Sequence, residues 1–420
     1  MKVCLENIKS FHSMKPIIYF SLLVLIISAT SCKKEPVGPK QPKPINLTTK
    51  ANEVIAGSNS FGIDLFRLTA MAENKNMMLS PLSASTALTM LLNGCQTQTY
   101  GQIRDMLGYG GLTLEEINAV YHSLVGQLLS IDPKVKLALA NSVWIRQGFE
   151  VKPAYLNAMD SAYDAEIAAL DFNSPSALET INGWASDKTN GKIPKVLDAI
   201  DPYAVMFLMN ALYFKGTWTY QFDPGETAAA PFHLKNGSVV DAAMMRSLFT
   251  SVKIVYNTDA TVIELPYGQQ NFSMVIILPQ NSLDGYLPGF DNAKWSSYTA
   301  GLDAITEPGE AEIILPKFKF EYEKKLNEQL KSLGMVDAFD SYLANLSGIS
   351  DANIYVDFVK QNTFVDVNEE GTEAAAVTTG GVNATSLPPA IIMDKPFIFA
   401  IRERMTNVLL FIGKVEQPEY

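Results

Sequence analysis

The sequence predicts an α+β fold, because helical patterns come first along the chain and most strand-like segments follow. Apolar residues recur at helical spacing over residues 53–73. Ser80-Pro81 then begins a second helix that extends to Leu92, with serine at the N-cap and proline in the first turn. The apolar runs further along the chain are typical of a mixed sheet.

Each later element has its own signal. Residues 135–145 alternate apolar and polar side chains, which indicates a strand, whereas residues 205–214 and 272–278 are apolar enough to be buried strands. Residues 324–333 predict a short amphipathic helix. Residues 397–415 predict the closing strands, which flank a turn at residues 402–407.

Composition favours one large domain at residues 52–420. The chain has 420 residues, of which 47% are hydrophobic, and neither a linker nor a repeat interrupts residues 52–418. The net charge of −11 argues against a nucleic-acid partner. Three cysteines do not make a disulfide framework, and Cys95, which follows an apolar helical run, is expected to be a buried structural thiol.

The N-terminus carries the signs of a targeting segment. An apolar run from Ile17 to Ile27 is shorter than the ~20 residues of a membrane span, and small residues lead from it to Cys32. This pattern resembles a bacterial lipoprotein signal. Residues 1–31 are therefore predicted to be a signal peptide, with Met14 as an alternative start and Cys32 as the lipidated residue. The Pro- and Lys-rich residues 32–51 predict an extended tether.

The segment from Gly371 to Leu387 has the composition of an unused strand. It lacks proline and aromatic residues, and Glu373 is its one charge. Thr372, Ala374 and Ala376 are small and lie at alternate positions, so they would share one face of a strand. Two adjacent glycines make the segment a poor strand alone. It could therefore enter a sheet without being obliged to do so.

These residues resemble the hinge and reactive loop of the serpins. The resemblance rests on residues 369–376 and on Ser386-Leu-Pro-Pro389, and it extends in order over residues 52–418. Further matching segments are Asn76–Ser83, Ile181–Trp184, Thr189–Ile193, Asn210–Trp218, Leu315–Phe318, Leu333–Met335 and Asp394–Phe399. The sequence is identified as a member of that family.

The resemblance implies both a fold and a set of site residues. We expect a single large domain with three β-sheets, eight or nine helices and an exposed reactive-centre loop. The implied hinge is Glu369, Glu370, Gly371, Thr372, Glu373, Ala374, Ala375 and Ala376, and the implied reactive bond joins Thr385 to Ser386. The implied sheet-opening residues are Ser80, Ser83, Asn210, Gln361 and Trp218. Gln361 stands where the family often has a histidine.

An enzyme is not expected. Outside the leader the chain has two histidines, and it has no Gly-x-Ser-x-Gly elbow, metal-ligand cluster or phosphate loop. The glycines of residues 108–111 predict a turn, and Met77, Met78, Met244 and Met245 predict core packing. Neither a catalytic residue nor a cofactor nor a metal is predicted.

The resemblance implies a suicide-substrate inhibitor of serine proteases. No lysine or arginine occurs between Lys360 and Lys395, so trypsin-like targets are disfavoured, and Thr385 suits the shallow pocket of an elastase-like or subtilisin-like enzyme. A papain-like cysteine protease is the runner-up. The rival function is a non-inhibitory binding module. We expect a monomer that contacts the membrane through its lipid anchor alone, in the cell envelope and facing the periplasm or the cell surface.

Overall fold

Nine α-helices lie in residues 41–372 and 389–420, which are the residues that the computed structural model describes. Helix α1 and helix α2 confirm the two predicted N-terminal helices, and Ser80 is the N-cap of α2. The helices are α1 (Ala51–Ala72), α2 (Pro81–Leu92), α3 (Thr97–Met106), α4 (Leu114–Leu128), α5 (Pro153–Tyr163), α6 (Pro175–Lys188), α7 (Leu283–Tyr286), α8 (Asn292–Ala304) and α9 (Asn327–Ser332).

The strands of the same residues confirm the predicted sheet regions. They are β1 (Met77–Leu79), β2 (Val135–Arg146), β3 (Glu166–Leu170), β4 (Met206–Thr217), β5 (Ala228–His233), β6 (Val239–Tyr256), β7 (Ala260–Tyr267), β8 (Phe272–Pro279), β9 (Gly309–Pro316), β10 (Phe318–Lys325), β11 (Lys360–Asn368), β12 (Gly371–Thr372), β13 (Ala390–Ile392), β14 (Phe397–Glu403) and β15 (Leu409–Val415).

The main sheet has six strands in the order β10-β11-β12-β4-β2-β3. All its neighbouring strands are antiparallel except β2 and β3, which are parallel. The other strands follow the order β1-β15-β14-β8-β7-β6-β9-β13, with β5 also paired to β6. Within this second set the long strand β6 joins two parts: its first half pairs with β5 and β9, and its end pairs with β7. Counting these parts separately confirms the three predicted sheets.

The helix predicted at residues 324–333 is wrong at its start. Lys324 and Lys325 are the last residues of β10 and pair with Gln361 and Lys360 of β11, so α9 begins only at Asn327. Phe318, Phe320 and Tyr322 alternate with charged residues along β10. Cross-strand pairing extends that alternation two residues further than the local helical pattern indicates.

The described part of the predicted tether, residues 41–50, contacts the domain. The main chain of Lys43 and the side-chain amide of Asn271 exchange two hydrogen bonds, of 3.0 and 2.8 Å. Asn46 and Gln127 form a second such pair, with bonds of 2.8 and 2.9 Å. Ile45 and Leu47 are partly buried against the core. The part of the tether nearest the domain is therefore held on its surface.

The core confirms the structural interpretation of several residues. Met77, Met78, Met244 and Met245 are all buried. Cys95 is 2% exposed, and its thiol donates a hydrogen bond to the carbonyl of Leu91 at the end of α2. Burial raises the pKa of the Cys95 thiol, so that the side chain stays protonated.

Candidate functional site: the opening in the main sheet

The main sheet contains a slot between β4 and β11. Strand β4 pairs along its length with β2, but its opposite edge pairs with a strand only at Gly216 and Thr217, where β12 lies. Strand β11 likewise pairs with β10 along its length and with β12 only at Val367 and Asn368. Between these ends, no described strand pairs with the facing edges of β4 and β11. The sheet can therefore accept a further strand there.

The start of the predicted hinge closes the top of this slot. Gly371 and Thr372 pair with β11 on one side and with β4 on the other. Gly371 has φ +152°, and a Cβ at this position would lie 2.1 Å from the carbonyl oxygen of Gly216. The site therefore needs glycine, since a side chain would clash with the backbone of β4. Thr372 follows as the first residue of the loop with a buried side chain, which is 4% exposed.

Trp218 lies against this closure, at the end of the main sheet where Gly371 and Thr372 pair. Its ring nitrogen donates a 2.9 Å hydrogen bond to the carbonyl oxygen of Asn368, and its main-chain N–H donates a 2.8 Å bond to the carbonyl oxygen of Glu370. The indole stacks on the ring of Tyr267, with centroids 4.3 Å apart and planes at 11°. The turn that leads from β11 into the hinge is therefore tied to the residue that follows β4.

Tyr267 and Lys317 also belong to the site, although we did not predict a role for either. The hydroxyl of Tyr267 is 2.6 Å from the hydroxyl of Thr372, and the ring is fully buried. Lys317 lies in the segment Leu315–Phe318, which supported the family resemblance but did not indicate a role for the lysine. Tyr267 lies outside every segment that the sequence analysis assigned to a helix, a strand or a matching motif, so the sequence did not single it out.

Glu369, the first hinge residue, is held by two partners. Its carboxylate accepts a 2.8 Å hydrogen bond from the hydroxyl of Thr227 and lies 3.0 Å from the ammonium nitrogen of Lys317. Burial alone would raise the pKa of Glu369. Hydrogen bonds from its own backbone, from Lys317 and from Thr227 outweigh that effect and hold the pKa below its ordinary value. The side chain is therefore ionised at neutral pH.

Lower in the sheet, Gln361 joins β11 to the start of α2. Its amide oxygen accepts a 2.9 Å hydrogen bond from the N–H of Ser80, and its amide nitrogen donates a 2.8 Å bond to the carbonyl oxygen of the same residue. The hydroxyl of Ser80 donates to the carbonyl oxygen of Leu410 and accepts from the N–H of Ser83. The structure thus brings Ser80, Ser83 and Gln361 together. Glutamine makes both bonds without a titrating group.

Asn210 is not bonded to that group. Its amide nitrogen donates a 2.6 Å hydrogen bond to the side chain of Asn141, its cross-strand neighbour on β2, and its amide oxygen is buried and has no hydrogen-bond partner among the described residues. Asn141 in turn donates to the carbonyl oxygen of Tyr163 at the end of α5. Asn210 therefore links β4 to β2, not to β11 across the slot. A buried acceptor left unpaired beside the slot is available to another donor.

Several predicted residues lie outside the described part of the chain. These are Cys32, the later hinge residues Glu373, Ala374, Ala375 and Ala376, the reactive-bond residues Thr385 and Ser386, and with them the predicted exposed loop. Their roles stay predictions. Among the described residues, neither a metal-binding group of three or more His, Cys, Asp or Glu nor a helix long and apolar enough to span a membrane is found.

The main sheet therefore has a slot between β4 and β11, and Gly371 and Thr372 close one end of it. A family model described as serpin (serine protease inhibitor) matches residues 56–418. A serpin-like protein of Methanosarcina mazei is 33% identical over 393 residues, covering 89% of this chain and 89% of its own length. The leukocyte elastase inhibitor of Homo sapiens is 33% identical over 386 residues, covering 87% of this chain and all of its own.

Solved structures agree with these relatives. The crystal structure of tengpin, a thermophilic serpin, in its native state superposes with a TM-score of 0.78 at 31% identity, covering 91% of this chain and 97% of tengpin. The chain belongs to the serpin family, which the matching model describes as serine protease inhibitors.

Proposed function

We propose that this serpin is a suicide-substrate inhibitor. The serine of a target protease attacks the carbonyl carbon of Thr385, the bond to the nitrogen of Ser386 breaks, and Thr385 remains joined to the protease as an ester. The freed segment from Thr372 to Thr385 then enters the slot as a new central strand. The observation that carries this proposal is the slot, in which Gly371 and Thr372 already pair on both sides.

The dimensions of the slot suit this segment. Strand β4 has 12 residues, and the segment from Thr372 to Thr385 has fourteen, which span about 45 Å when extended. Insertion from the top would therefore fill the edge of β4 and draw the attached protease across the domain. Distortion of the protease would stop hydrolysis of the ester, because catalysis depends on close placement of its catalytic groups.

A covalent complex is the direct test. The purified domain should form a complex with an elastase-like or subtilisin-like protease that survives denaturation, and the released C-terminal peptide should begin at Ser386 by mass spectrometry. A protease inactivated at its serine is the control and should form no such complex. Absence of a covalent complex with every serine and cysteine protease tested would favour the non-inhibitory binding module.

The target class follows from the residues near the bond. No cation or aromatic side chain lies close to it, whereas threonine is small and β-branched. The relative named leukocyte elastase inhibitor supports the same class. A papain-like cysteine protease is the second candidate, since such enzymes often select on a residue before the bond. Rapid stable complexes with trypsin, and none with elastase-like enzymes, would contradict this assignment.

We also propose a lipid anchor at Cys32, an inference that rests on the sequence alone. Cleavage before Cys32 and acylation of its thiol would place the domain in the cell envelope on the tether of residues 32–51. Intact-mass analysis of the protein extracted from membranes is the test, with Cys32→Ser as the control. A mature N-terminus elsewhere, or an unmodified Cys32, would exclude the anchor.

A further inference from the structure

Tyr267, the last residue of β7, lies where the loop enters the main sheet. It is fully buried, stacked on Trp218, and meets the ring of Phe214 edge-on at 5.1 Å between centroids. Its hydroxyl is the one polar atom of the side chain, and among the described residues its hydrogen-bond partner is the hydroxyl of Thr372 at 2.6 Å. The hydroxyl of Tyr267, which lies among aromatic rings, thus has its hydrogen bond with Thr372, the first residue of the loop segment.

We propose that Tyr267 is a positioning residue for the hinge, which holds Thr372 in the sheet before cleavage and fixes the register in which the rest of the loop enters. The consequence for inhibition rests on the proposed function, but the hydroxyl contact itself exists in the uncleaved protein. The hydrogen bond between Tyr267 and Thr372 therefore holds the start of the loop in the sheet.

The hydroxyl of Tyr267 favours the inserted hinge because withdrawal would leave it buried without its partner. Main-chain pairing of β12 involves only two residues, so one side-chain hydrogen bond is a large share of what holds it. A threonine or serine at position 372 can supply the partner, whereas valine, which has the shape of threonine, cannot.

Register is the second consequence. Thr372 lies opposite Gly216 of β4 and Val367 of β11. In this register Thr372, Ala374 and Ala376 share one face of the entering strand, whereas a slip of one residue would turn every side chain to the other face. The slip would also bring the carboxylate of Glu373 towards the rings of Tyr267 and Trp218. The hydroxyl pair thus selects the register in which small residues face inward.

The first experiment measures amide hydrogen exchange in the intact protein. Tyr267→Phe and Thr372→Val each remove one hydroxyl, and each should raise exchange at Gly371 and Thr372 about tenfold, the effect of losing one buried hydrogen bond. Because both variants break the same bond, the double variant should exchange no faster than either one. Thr372→Ser should retain protection.

A matched control removes a different phenol, from an outer strand of the main sheet. Tyr322 of β10 donates a 3.2 Å hydrogen bond to Glu73, away from the slot. Tyr322→Phe should leave exchange at the hinge unchanged. Unchanged hinge exchange in Tyr267→Phe and in Thr372→Val, or additive effects in the double variant, would overturn the proposal. If one substitution prevents folding, the other still tests the pair.

The second experiment measures how often the inhibitor is cleaved without trapping the protease. Tyr267→Phe should raise the number of inhibitor molecules consumed per protease molecule inactivated, because insertion starts from a withdrawn hinge. If Tyr267→Phe raises amide exchange at the hinge but leaves the ratio of inhibitor consumed to protease inactivated unchanged, Tyr267 holds Thr372 in the intact protein but has no role in insertion. If even the unmodified protein traps no protease, the proposed function fails, and the exchange experiment still decides the role of Tyr267.

Discussion

The top and the centre of the main sheet differ in what lies between β4 and β11. At the top, Gly371 and Thr372 pair with both strands, and the hydroxyl of Thr372 is hydrogen-bonded to Tyr267, on which Trp218 stacks. At the centre, no described strand fills the gap, and β11 is held to α2 by the two hydrogen bonds between Gln361 and Ser80.

For the proposed insertion, the difference indicates where the loop would start to enter the sheet and which contacts it would meet. At the top, Gly371 and Thr372 already pair with both neighbouring strands, so the proposed insertion would continue from these two residues. The centre has polar groups bonded to their own side of the slot: Gln361 to α2, and Asn210 to Asn141 of β2. Within the described residues no hydrogen bond joins Gln361 to Asn210 across the gap. Separation of the two strands at the centre therefore breaks no hydrogen bond between these two side chains.

Cleavage of the loop should have the largest effect on stability, because the loop could then pair with β4 and β11 at the centre as Gly371 and Thr372 do at the top. Each inserted residue would pair with both β4 and β11, and we expect the melting temperature of the cleaved protein to exceed that of the intact protein by more than about 10 °C. Differential scanning calorimetry before and after cleavage between residues 377 and 388 measures this. Equal melting temperatures would contradict a sheet that gains a strand.

Thr372→Arg should prevent insertion of the cleaved loop and the rise in melting temperature that insertion would bring. The side chain at this position is buried against Tyr267, so insertion would bury an unpaired charge at a cost of several kcal/mol. The variant should be cleaved by the target protease at the same bond but should release it active. Its melting temperature should rise little on cleavage. Thr372→Ser, which keeps the hydroxyl and adds no bulk, should behave as the unmodified protein does. Full trapping by the arginine variant would show that inhibition does not depend on a small, uncharged residue at position 372.

Gln361→Glu should destabilise the centre in a pH-dependent way. The amide nitrogen that donates to the carbonyl oxygen of Ser80 would become an oxygen, which can donate only when protonated. The folded state should therefore raise the pKa of the new carboxyl. A group whose pKa is raised by folding stabilises the protein at low pH, and this contribution is lost as the pH rises through that pKa.

We expect the variant to lose about 2 kcal/mol of unfolding free energy at pH 7 and to recover part of it near pH 5. Urea denaturation at both values measures the change. Gln361→Leu is the control, because it loses both hydrogen bonds and has no titrating group, so its loss should be the same at the two pH values. Equal losses for the glutamate variant at both pH values would contradict the hydrogen-bond assignment.

The sequence indicated some residues of the site and missed others, for a physical reason. Gly371 and Thr372 lie in a continuous segment whose small residues and missing charges are visible along the chain, and Ser80 lies at a recognisable helix start. The partners of Asn210, by contrast, depend on which strand lies beside β4, and cross-strand contacts leave no trace in local pattern. The same applies to Tyr267 and to Lys324, which pairing keeps in β10.

Glu369→Gln should have the smallest effect, and it is confined to the top. The carboxylate is ionised at neutral pH because its lowered pKa favours the charged form, so its ion pair with Lys317 contributes above the ordinary glutamate pKa and is lost as the pH falls through the lowered value. The pair is partly screened by solvent, and we expect the variant to lose about 1 kcal/mol at pH 7 and progressively less as the pH falls below the ordinary glutamate pKa. Lys317→Met should lose more, because the ammonium also lies 4.1 Å from the ring centre of Tyr420. A double-mutant cycle separates the contribution of the ion pair from that of the ring contact.

Amide hydrogen exchange in the Glu369→Gln variant tests whether the top and the centre open together. Raised exchange at Gly371 and Thr372, with unchanged exchange at Gln361, would show that the top opens independently of the centre. Equal changes at both places would mean that the slot opens as one unit.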